Sequence, residues 1–218
     1  MDLDYAWTYS TLELFESCPS KFFHLRVARD FKDKPYEHRQ WGQEVDQALE
    51  QRVLNGTPLP DGMQQWEGIM SKIAGLPGEK YPQIKLAVSE SFGKAPWAAS
   101  WSRGQLDLLV VNGNTATALD YKTGKRKPSE QLQLYAGYTF SNYPKVEVVQ
   151  TAFVWLKDRK LDRANFQREQ VSDIWGEFVP RVARLQAAYK HEKWPERPSG
   201  LCRGWCPVTS CKFWEPGK

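Results

Sequence analysis

The stretch from Arg103 to Lys127, RGQLDLLVVNGNTATALDYKTGKRK, places charged residues inside an otherwise apolar β-hairpin. Two runs of apolar and β-branched residues flank Asn112-Gly113, and this dipeptide is a strong signal for a two-residue hairpin loop. Burying a carboxylate without a partner costs several kcal/mol. Asp107, Asp120 and Lys122 therefore need a physical reason to be in this hairpin.

The loop assignment predicts where these charged side chains point. With the Asn-Gly dipeptide as the loop, Asp107 lies opposite Ala118 and diagonal to Asp120. Side chains repeat with period 2 along a strand, so Asp107, Asp120 and Lys122 project from one face of the sheet. A loop longer by one residue, without a bulge, would turn Asp107 to the other face.

Two carboxylates held this close repel each other unless a cation lies between them. Ligation by oxygen alone suits Mg²⁺ or Mn²⁺. Lys122 can orient a water molecule or offset the charge of a phosphate, and this combination indicates phosphodiester hydrolysis. The alternative is an exposed ion-pair cluster on a half-solvated sheet face.

The hydrophobic period changes from that of helices to that of strands at about residue 83. Helices are predicted from about residue 10, where Ser10 and Glu13 have capping-box spacing, and at 36–54 and 62–74. Strands at 84–92, 100–111 and 114–122, a helix at 129–140, strands at 145–157 and 161–171, and a helix at 172–190 follow. This order predicts a mixed α/β domain with an irregular, cysteine-rich tail.

The predicted helix at 36–54 carries acidic residues on its polar side. Trp41, Val45 and Leu49 form its apolar face, whereas Asp46 and Glu50 are a like-charge pair one turn apart, which is mildly destabilising. A metal ion held by the hairpin would compensate this pair. A solvated acidic helix face is the alternative.

Two further features follow the hairpin. Gln131 and Tyr135 lie one turn apart on the next predicted helix, where they can reach a phosphate or brace Lys122; an ordinary polar helix edge would look the same. The basic run of Lys125, Arg126 and Lys127 can meet phosphates or form a solvated loop.

Composition limits the class of protein. The 218 residues carry a formal net charge of +4, which permits a nucleic-acid partner without requiring one. No apolar run approaches the roughly 20 residues that span a membrane. The first residues, MDLDYAWTYS, lack the features of a secretory signal, so we expect a cytoplasmic protein, in the host cytoplasm if the chain is viral.

The four cysteines are expected to be thiols or metal ligands rather than disulfides in a reducing compartment. Cys202, Cys206 and Cys211 lie close together in a tail rich in Pro and Gly, and Cys18 is remote from them. Three close cysteines and one remote one suit four-thiolate ligation of zinc or an iron–sulphur cluster. Inert buried thiols are the alternative.

Several motifs together resemble the PD-(D/E)xK nuclease superfamily, and more closely its RecB-type exonuclease branch. GQLD, LDYK and QLQLY, ending at Asp107, Lys122 and Tyr135, occur in the order of the family motifs G-x-x-D, D-x-K and Q-x-x-x-Y. WGQEVDQALE is similar to the branch's helix motif, with Asp46 at the position of its metal-binding histidine. STLELFESCPSKFF resembles the family's opening segment.

The resemblance implies a fold and an organisation. It implies a restriction-endonuclease-like mixed central β-sheet flanked by helices, with the cysteine-rich C-terminal tail tied to the N-terminal helix. The whole chain would be a single nuclease domain. Its parts would be a helical region at about 8–75, a nuclease core at about 80–190 and a metal-cluster tail at about 194–218.

The resemblance also implies site residues and cofactors. Mg²⁺ or Mn²⁺ would be held by Asp46, Asp107, Asp120 and the main-chain carbonyl of Tyr121. Lys122 would position the attacking water, and Gln131 and Tyr135 would guide the DNA backbone. Similar nucleases bind a [4Fe–4S] cluster through one early and three late cysteines, which implies such a cluster on Cys18, Cys202, Cys206 and Cys211, with structural zinc as the alternative.

The resulting hypothesis is a metal-dependent DNA exonuclease that leaves 5′-phosphates, in recombination, repair or phage DNA processing. Its partner is DNA, together with recombination or repair proteins, and no membrane. Two alternatives stay open: a structure-specific endonuclease, and a non-catalytic module that binds DNA ends or docks a partner.

Overall fold

Five segments between Glu79 and Gln167 form one five-stranded sheet. A computed structural model describes residues 6–33 and 37–217. The strands are β1 Glu79–Val88, β2 Ser102–Asn112, β3 Thr115–Lys122, β4 Val148–Trp155 and β5 Lys160–Gln167. They are adjacent in chain order, with β3 and β4 parallel and the other pairs antiparallel. The mixed α/β architecture predicted from the sequence is confirmed.

The hairpin between β2 and β3 turns at a different dipeptide from the predicted one. Asn112 pairs with Thr115, so the loop residues are Gly113 and Asn114 rather than Asn112 and Gly113. Gly113 has φ of 60°, the region that the first loop residue of a type II′ turn requires and that glycine adopts at no steric cost. The register is shifted by two residues, which leaves every side chain on its predicted face.

Helices cover both faces of the sheet. The helices of residues 37–177 are α3 Glu37–Asn55, α4 Glu67–Ala74, α5 Gln131–Asn142 and the first residues of α6 Val171–His191. Val45, Leu49, Met70, Leu108, Leu119 and Val154 belong to one buried cluster between α3, α4 and the sheet. On the opposite face lies α5, which connects the parallel strands β3 and β4.

Two helix predictions differ from the structure in detail. The predicted start of α3 at residue 36 lies outside the described residues, and the described helix begins at Glu37. Val45 and Leu49 are fully buried as expected, but Trp41 is 40% exposed, so its assignment to the buried face is wrong. Trp41 lies one helical turn before Val45, the first residue of α3 in the buried cluster that α4 covers. Hydrophobic periodicity identifies the apolar face of a helix but not the residue at which its burial by a neighbouring helix ends.

Residues 6–33 and 178–217 form a second compact unit. It contains α1 Tyr9–Ser17, α2 Pro19–Phe22, the end of α6 and the tail. The N-cap of α1 is Thr8 rather than Ser10: Thr11 N donates to Thr8 Oγ1 at 3.2 Å, and Thr8 N donates to Thr11 Oγ1 at 2.8 Å. Phe22 stacks on Trp194 in the aromatic core of this unit. Every helix among the described residues is too short or too polar to cross a lipid bilayer.

Candidate active site

The central strands β2 and β3 separate at one end of the sheet. Their ladder runs from the hairpin loop to the pair of Leu108 and Leu119. Beyond this point β2 stays paired with β1 as far as Ser102, and β3 stays paired with β4 as far as Lys122. The pair β1–β2 and the pair β3–β4 therefore separate to form a fork. The charged residues of the hairpin lie at this fork.

Asp107 and Asp120 are the first residues beyond the end of the β2–β3 ladder. Because the ladder ends at Leu108 and Leu119, they are direct neighbours across the fork and not diagonal ones. Tyr121 N donates to Asp107 Oδ2 at 2.7 Å, so a side-chain carboxylate accepts the hydrogen bond from the β3 main chain. This bond fixes the position of the Asp107 side chain.

A closed set of polar contacts surrounds Asp120, which is 4% exposed. Tyr135 OH donates to Asp120 Oδ1 at 2.6 Å, and Gln131 Nε2 donates to Tyr135 OH at 2.6 Å. Lys122 Nζ donates to Gln131 Oε1 at 3.1 Å and lies 2.6 Å from Asp120 Oδ2. Gln131 thus contacts Lys122 directly, whereas Tyr135 contacts Asp120 and Gln131.

Phe153 supports Lys122 from the neighbouring strand, and the sequence did not indicate this. The Lys122 ammonium lies 5.1 Å from the centroid of the Phe153 ring, within the range of a cation–π interaction. Phe153 is on β4, opposite Asp120 in the parallel ladder. Only the pairing of β3 with β4 brings the ring to this position, so no local sequence signal pointed to it.

The carboxylates at the fork influence one another electrostatically. Burial raises the pKa of Asp107 to about 8; the charges of Asp120 and Asp46 add to this rise, while the Tyr121 N–H and Lys122 oppose it. Burial also raises the pKa of Asp46 to about 6, with a further contribution from the charge of Asp120. Asp46 of α3 is therefore near enough to influence the hairpin aspartates electrostatically, and its role as a metal ligand stays a prediction.

This donor set fits a divalent cation chemically. Asp120 Oδ2 is buried and accepts no hydrogen bond of good geometry from the described residues, although Lys122 Nζ is its close ionic neighbour. Carboxylate oxygens are ligands that Mg²⁺ and Mn²⁺ prefer. Among the described residues, no three His, Cys, Asp or Glu side chains are already grouped to hold a metal ion. The Lys122 ammonium supplies the positive charge next to Asp120.

Gly104 of the GQLD motif has a packing role that the structure makes explicit. A Cβ atom at residue 104 would lie 2.7 Å from Tyr138 Cε2, and Tyr138 is fully buried on α5. Tyr138 OH also lies within hydrogen-bond distance of Ser102 Oγ, at 2.6 Å. The absence of a side chain at Gly104 lets β2 lie directly on α5 beside the fork.

We expect Gly104→Ala to lower the free energy of unfolding by about 1–3 kcal/mol, because overpacking forces a buried ring to move. Urea denaturation followed by circular dichroism would measure the change. The matched control is Gly124→Ala, since a Cβ there meets no atom within 4 Å. Equal stability of Gly104→Ala and the unchanged chain would contradict the packing role.

The three residues of the basic run after β3, Lys125, Arg126 and Lys127, differ in their surroundings. Arg126 is engaged: its Nε donates to Asp162 Oδ2 at 2.8 Å, and Trp155 Nε1 donates to the same oxygen at 2.7 Å. Lys125 and Lys127 are exposed on the loop between β3 and α5. The partner of Arg126 lies on β5, which is why the sequence alone did not reveal the ion pair.

The four cysteines lie outside the fork and line one small cavity together. None of them is in a disulfide. Cys18 Sγ accepts hydrogen bonds from Lys21 N at 3.4 Å and Arg197 N at 3.5 Å. Burial raises the pKa of Cys206, and Cys202 and Cys18 are near enough to add to this rise. The structure thus places the remote Cys18 beside the three cysteines of the tail.

Comparison with known proteins gives a family match and structural likenesses. Residues 79–211, more than half of the chain, match the family described as the PD-(D/E)XK nuclease superfamily. The match includes Asp107, Asp120, Lys122, Gln131 and Tyr135. No curated protein sequence shows significant similarity to this chain.

Two solved structures have similar folds at low sequence identity. A protein from Eubacterium rectale described as a candidate exonuclease is 12% identical with a TM-score of 0.52, over 95% of this chain and 86% of that one. A protein called SSO0001 is 11% identical with a TM-score of 0.43, over 97% of this chain and 88% of that one. The first likeness is one of fold.

Proposed function

Because this chain belongs to the PD-(D/E)XK nuclease superfamily and has its restriction-endonuclease-like fold, we propose that it is a divalent-metal-dependent DNA exonuclease of the RecB type. The observation that carries the proposal is the contact set at the fork. The buried Asp120, the braced Lys122 and the Asp107 carboxylate lie there, with Asp46 near enough to act on them electrostatically, and such groups are the equipment of phosphodiester hydrolysis. We also propose that the two compact units together make up one nuclease domain.

The metal ligands in this proposal are Asp46, Asp107, Asp120 and the main-chain carbonyl of Tyr121. When bound there, Mg²⁺ or Mn²⁺ supplies Lewis acidity and lowers the pKa of a coordinated water. The three carboxylates are oxygen donors whose mutual repulsion a cation relieves. Asp46 comes from α3 and Asp107 from β2, and β3 supplies Asp120 and Tyr121. The proposed metal site therefore requires all three elements to be in place.

Lys122 is the proposed catalytic ammonium. Gln131 and the Phe153 ring hold its Nζ beside Asp120, so the ammonium needs little reorganisation to orient a water and offset charge developing on phosphorus. Burial and the charge of Asp120 raise the pKa of Tyr135, which keeps its phenol protonated as a donor to Asp120. In this proposal the products carry 5′-phosphates, and the reaction serves recombination, repair or phage DNA processing.

We propose that the exposed residues of the basic run contact DNA phosphates near the fork. Arg126 is already paired with Asp162, so its replacement should change binding less than that of Lys125. We expect Lys125→Ala to reduce the slope of log affinity against log salt concentration by about 1. Arg126→Ala should leave the slope nearly unchanged, and equal slopes for all three proteins would contradict the assignment.

A digestion time course distinguishes the exonuclease from its alternatives. Linear DNA labelled at either end, and a circular single-stranded DNA, would be incubated with the full chain and Mg²⁺ or Mn²⁺. We expect mononucleotides or short products from linear DNA and no cleavage of the circle. Cleavage of the circle would make the chain an endonuclease, whereas tight metal-independent binding without cleavage would make it a binding module.

A [4Fe–4S] cluster on Cys18, Cys202, Cys206 and Cys211 is the second cofactor that we propose, with structural zinc as the alternative. The support is the shared cavity and the N–H groups that point at Cys18 and Cys202. Such N–H groups stabilise thiolates. The cytoplasm keeps cysteine thiols reduced, and we propose that the chain acts in this compartment.

A further inference from the structure

β1 and β2 continue past the fork as a two-stranded arm, which consists of residues 84–88 of β1 and 102–106 of β2. β3 is no longer paired with β2 over this length. One face of the arm packs on α5, since Gly104 lies against Tyr138 and Ser102 Oγ meets Tyr138 OH. Side chains alternate along a strand, so Arg103 and Gln105 point to the opposite face.

Two cations meet one tryptophan on that opposite face. The Arg103 guanidinium lies 5.0 Å and Lys85 Nζ lies 5.6 Å from the centroid of the Trp97 ring. Arg103 Nη1 also donates to the main-chain oxygen of Trp97 at 3.0 Å, which fixes the guanidinium in place. Neither cation forms an ion pair with an acidic side chain of the described residues. The ring face offsets part of their mutual repulsion, and an anion between them would offset the rest.

The arm leads directly to Asp107. Gln105 lies between Arg103 and Asp107 on β2, and its Nε2 donates to Gln83 Oε1 at 2.6 Å. Gln83 is the β1 residue opposite Asp107 and has φ of 49°, a left-handed conformation that favours glycine. Such local strain concentrates at binding and active sites. Four residues of strand place Arg103 about 13 Å from Asp107, roughly four nucleotide steps along a duplex.

We propose that Lys85 and Arg103, positioned by Trp97, form a phosphate clamp for the nucleic-acid strand that runs along the arm to the candidate active site. The occupant follows from charge complementarity and from the position of the arm, which is the continuation of β2 beyond Asp107. Two cations without an acidic partner suit a polyanion, and the polar Gln83–Gln105 pair lies between them and Asp107 along the two strands. This inference rests on the proposed function, because it assumes that DNA is cleaved at the fork.

The test is a binding measurement without divalent metal, so that cleavage does not interfere. Fluorescence anisotropy of labelled single- and double-stranded DNA in EDTA would be recorded over a range of salt concentrations. The clamp variant is Lys85→Gln with Arg103→Gln. The control variant is Lys72→Gln with Lys145→Gln, which removes the same charge near the hairpin end of the sheet, where Lys72 shares a cavity with Thr117.

The clamp variant should reduce the slope of log affinity against log salt by about 2, and the control variant should not. Release of two counterions corresponds to about thirty-fold weaker binding at 0.15 M salt. Trp97→Ala should weaken binding while both cations remain, and Trp97→Phe should restore it. A circular dichroism spectrum unchanged from the original chain would establish that each variant is folded.

Failure of the clamp and failure of the proposed function are distinguishable. If the unchanged chain cleaves DNA but the folded clamp variant binds with unaltered affinity and salt slope, the clamp is overturned and the nuclease stands. If the unchanged chain binds with the expected clamp dependence but cleaves no DNA with any divalent metal, the clamp stands and the nuclease assignment is overturned. Absence of binding by the unchanged chain would overturn the clamp.

Discussion

Replacement of Lys122 by Met should lower kcat/KM for DNA hydrolysis by about 10²–10³, the loss measured when a charge-stabilising donor is removed from an active site. Asp120→Asn should cost at least about 10³, because it removes a proposed metal ligand and the ionic neighbour of Lys122. Tyr135→Phe keeps the ring but removes the hydroxyl between Asp120 and Gln131. We expect a smaller loss of about 10–100-fold for it, as for residues that orient metal ligands.

Release of acid-soluble nucleotides from linear DNA would measure these rates, with Lys145→Met as the exposed-lysine control. Full activity of both Lys122→Met and Asp120→Asn would remove the catalytic site from the fork. Thermal unfolding gives a readout independent of activity. At a free Mg²⁺ concentration ten times the dissociation constant, the cation should stabilise the unchanged chain by about 1.4 kcal/mol. It should not stabilise Asp120→Asn.

Replacement of Cys206 by Ser should release the bound metal and lower the free energy of unfolding by several kcal/mol. A ligated centre that includes Cys18 and the tail closes a loop of most of the chain, and its binding free energy contributes directly to folding. We expect the unchanged protein to be brown, with broad absorbance near 400 nm from the proposed cluster, and Cys206→Ser to be colourless. Ser210→Ala, at an exposed serine of the same tail, is the matched control.

Metal analysis of the same preparations separates the alternatives for the cysteines. Iron and sulphide in equal amounts would support the [4Fe–4S] cluster, whereas stoichiometric zinc in a colourless protein would support a structural zinc site. Metal-free protein with unaltered stability in Cys206→Ser would mean that the four thiols are inert. DNA cleavage by Cys206→Ser at a temperature where it remains folded would show that the centre is structural.

The sequence predicted which face of the hairpin carries Asp107, Asp120 and Lys122, because that face depends only on whether a residue number is odd or even within its strand. The loop dipeptide was assigned one residue too early, yet a register shift of two preserves the face of each side chain. Asp46 was proposed through a helix motif, and it influences Asp107 and Asp120 electrostatically, but its role as a metal ligand stays a prediction. Short-range patterns therefore located the charged groups but did not fix their pairing.

What the sequence did not predict depends on contacts between distant segments. The Phe153 ring under Lys122 requires the parallel pairing of β3 with β4, and the Arg126–Asp162 ion pair requires β5 beside the loop. The left-handed backbone conformation of Gln83 could not be predicted either, because glutamine has no preference for positive φ. Helix and strand periods report burial of a face, not the identity of the neighbour that buries it.

The division of the chain into two units has an evolutionary consequence. Every group of the proposed nuclease site comes from residues 46–153, and every cysteine comes from the segments that flank residues 37–177. Substitution of the proposed thiol ligands, one at a time, therefore alters no carboxylate at the fork. Descendants without the proposed metal centre would keep the proposed hydrolysis where packing in the second compact unit compensates for its loss.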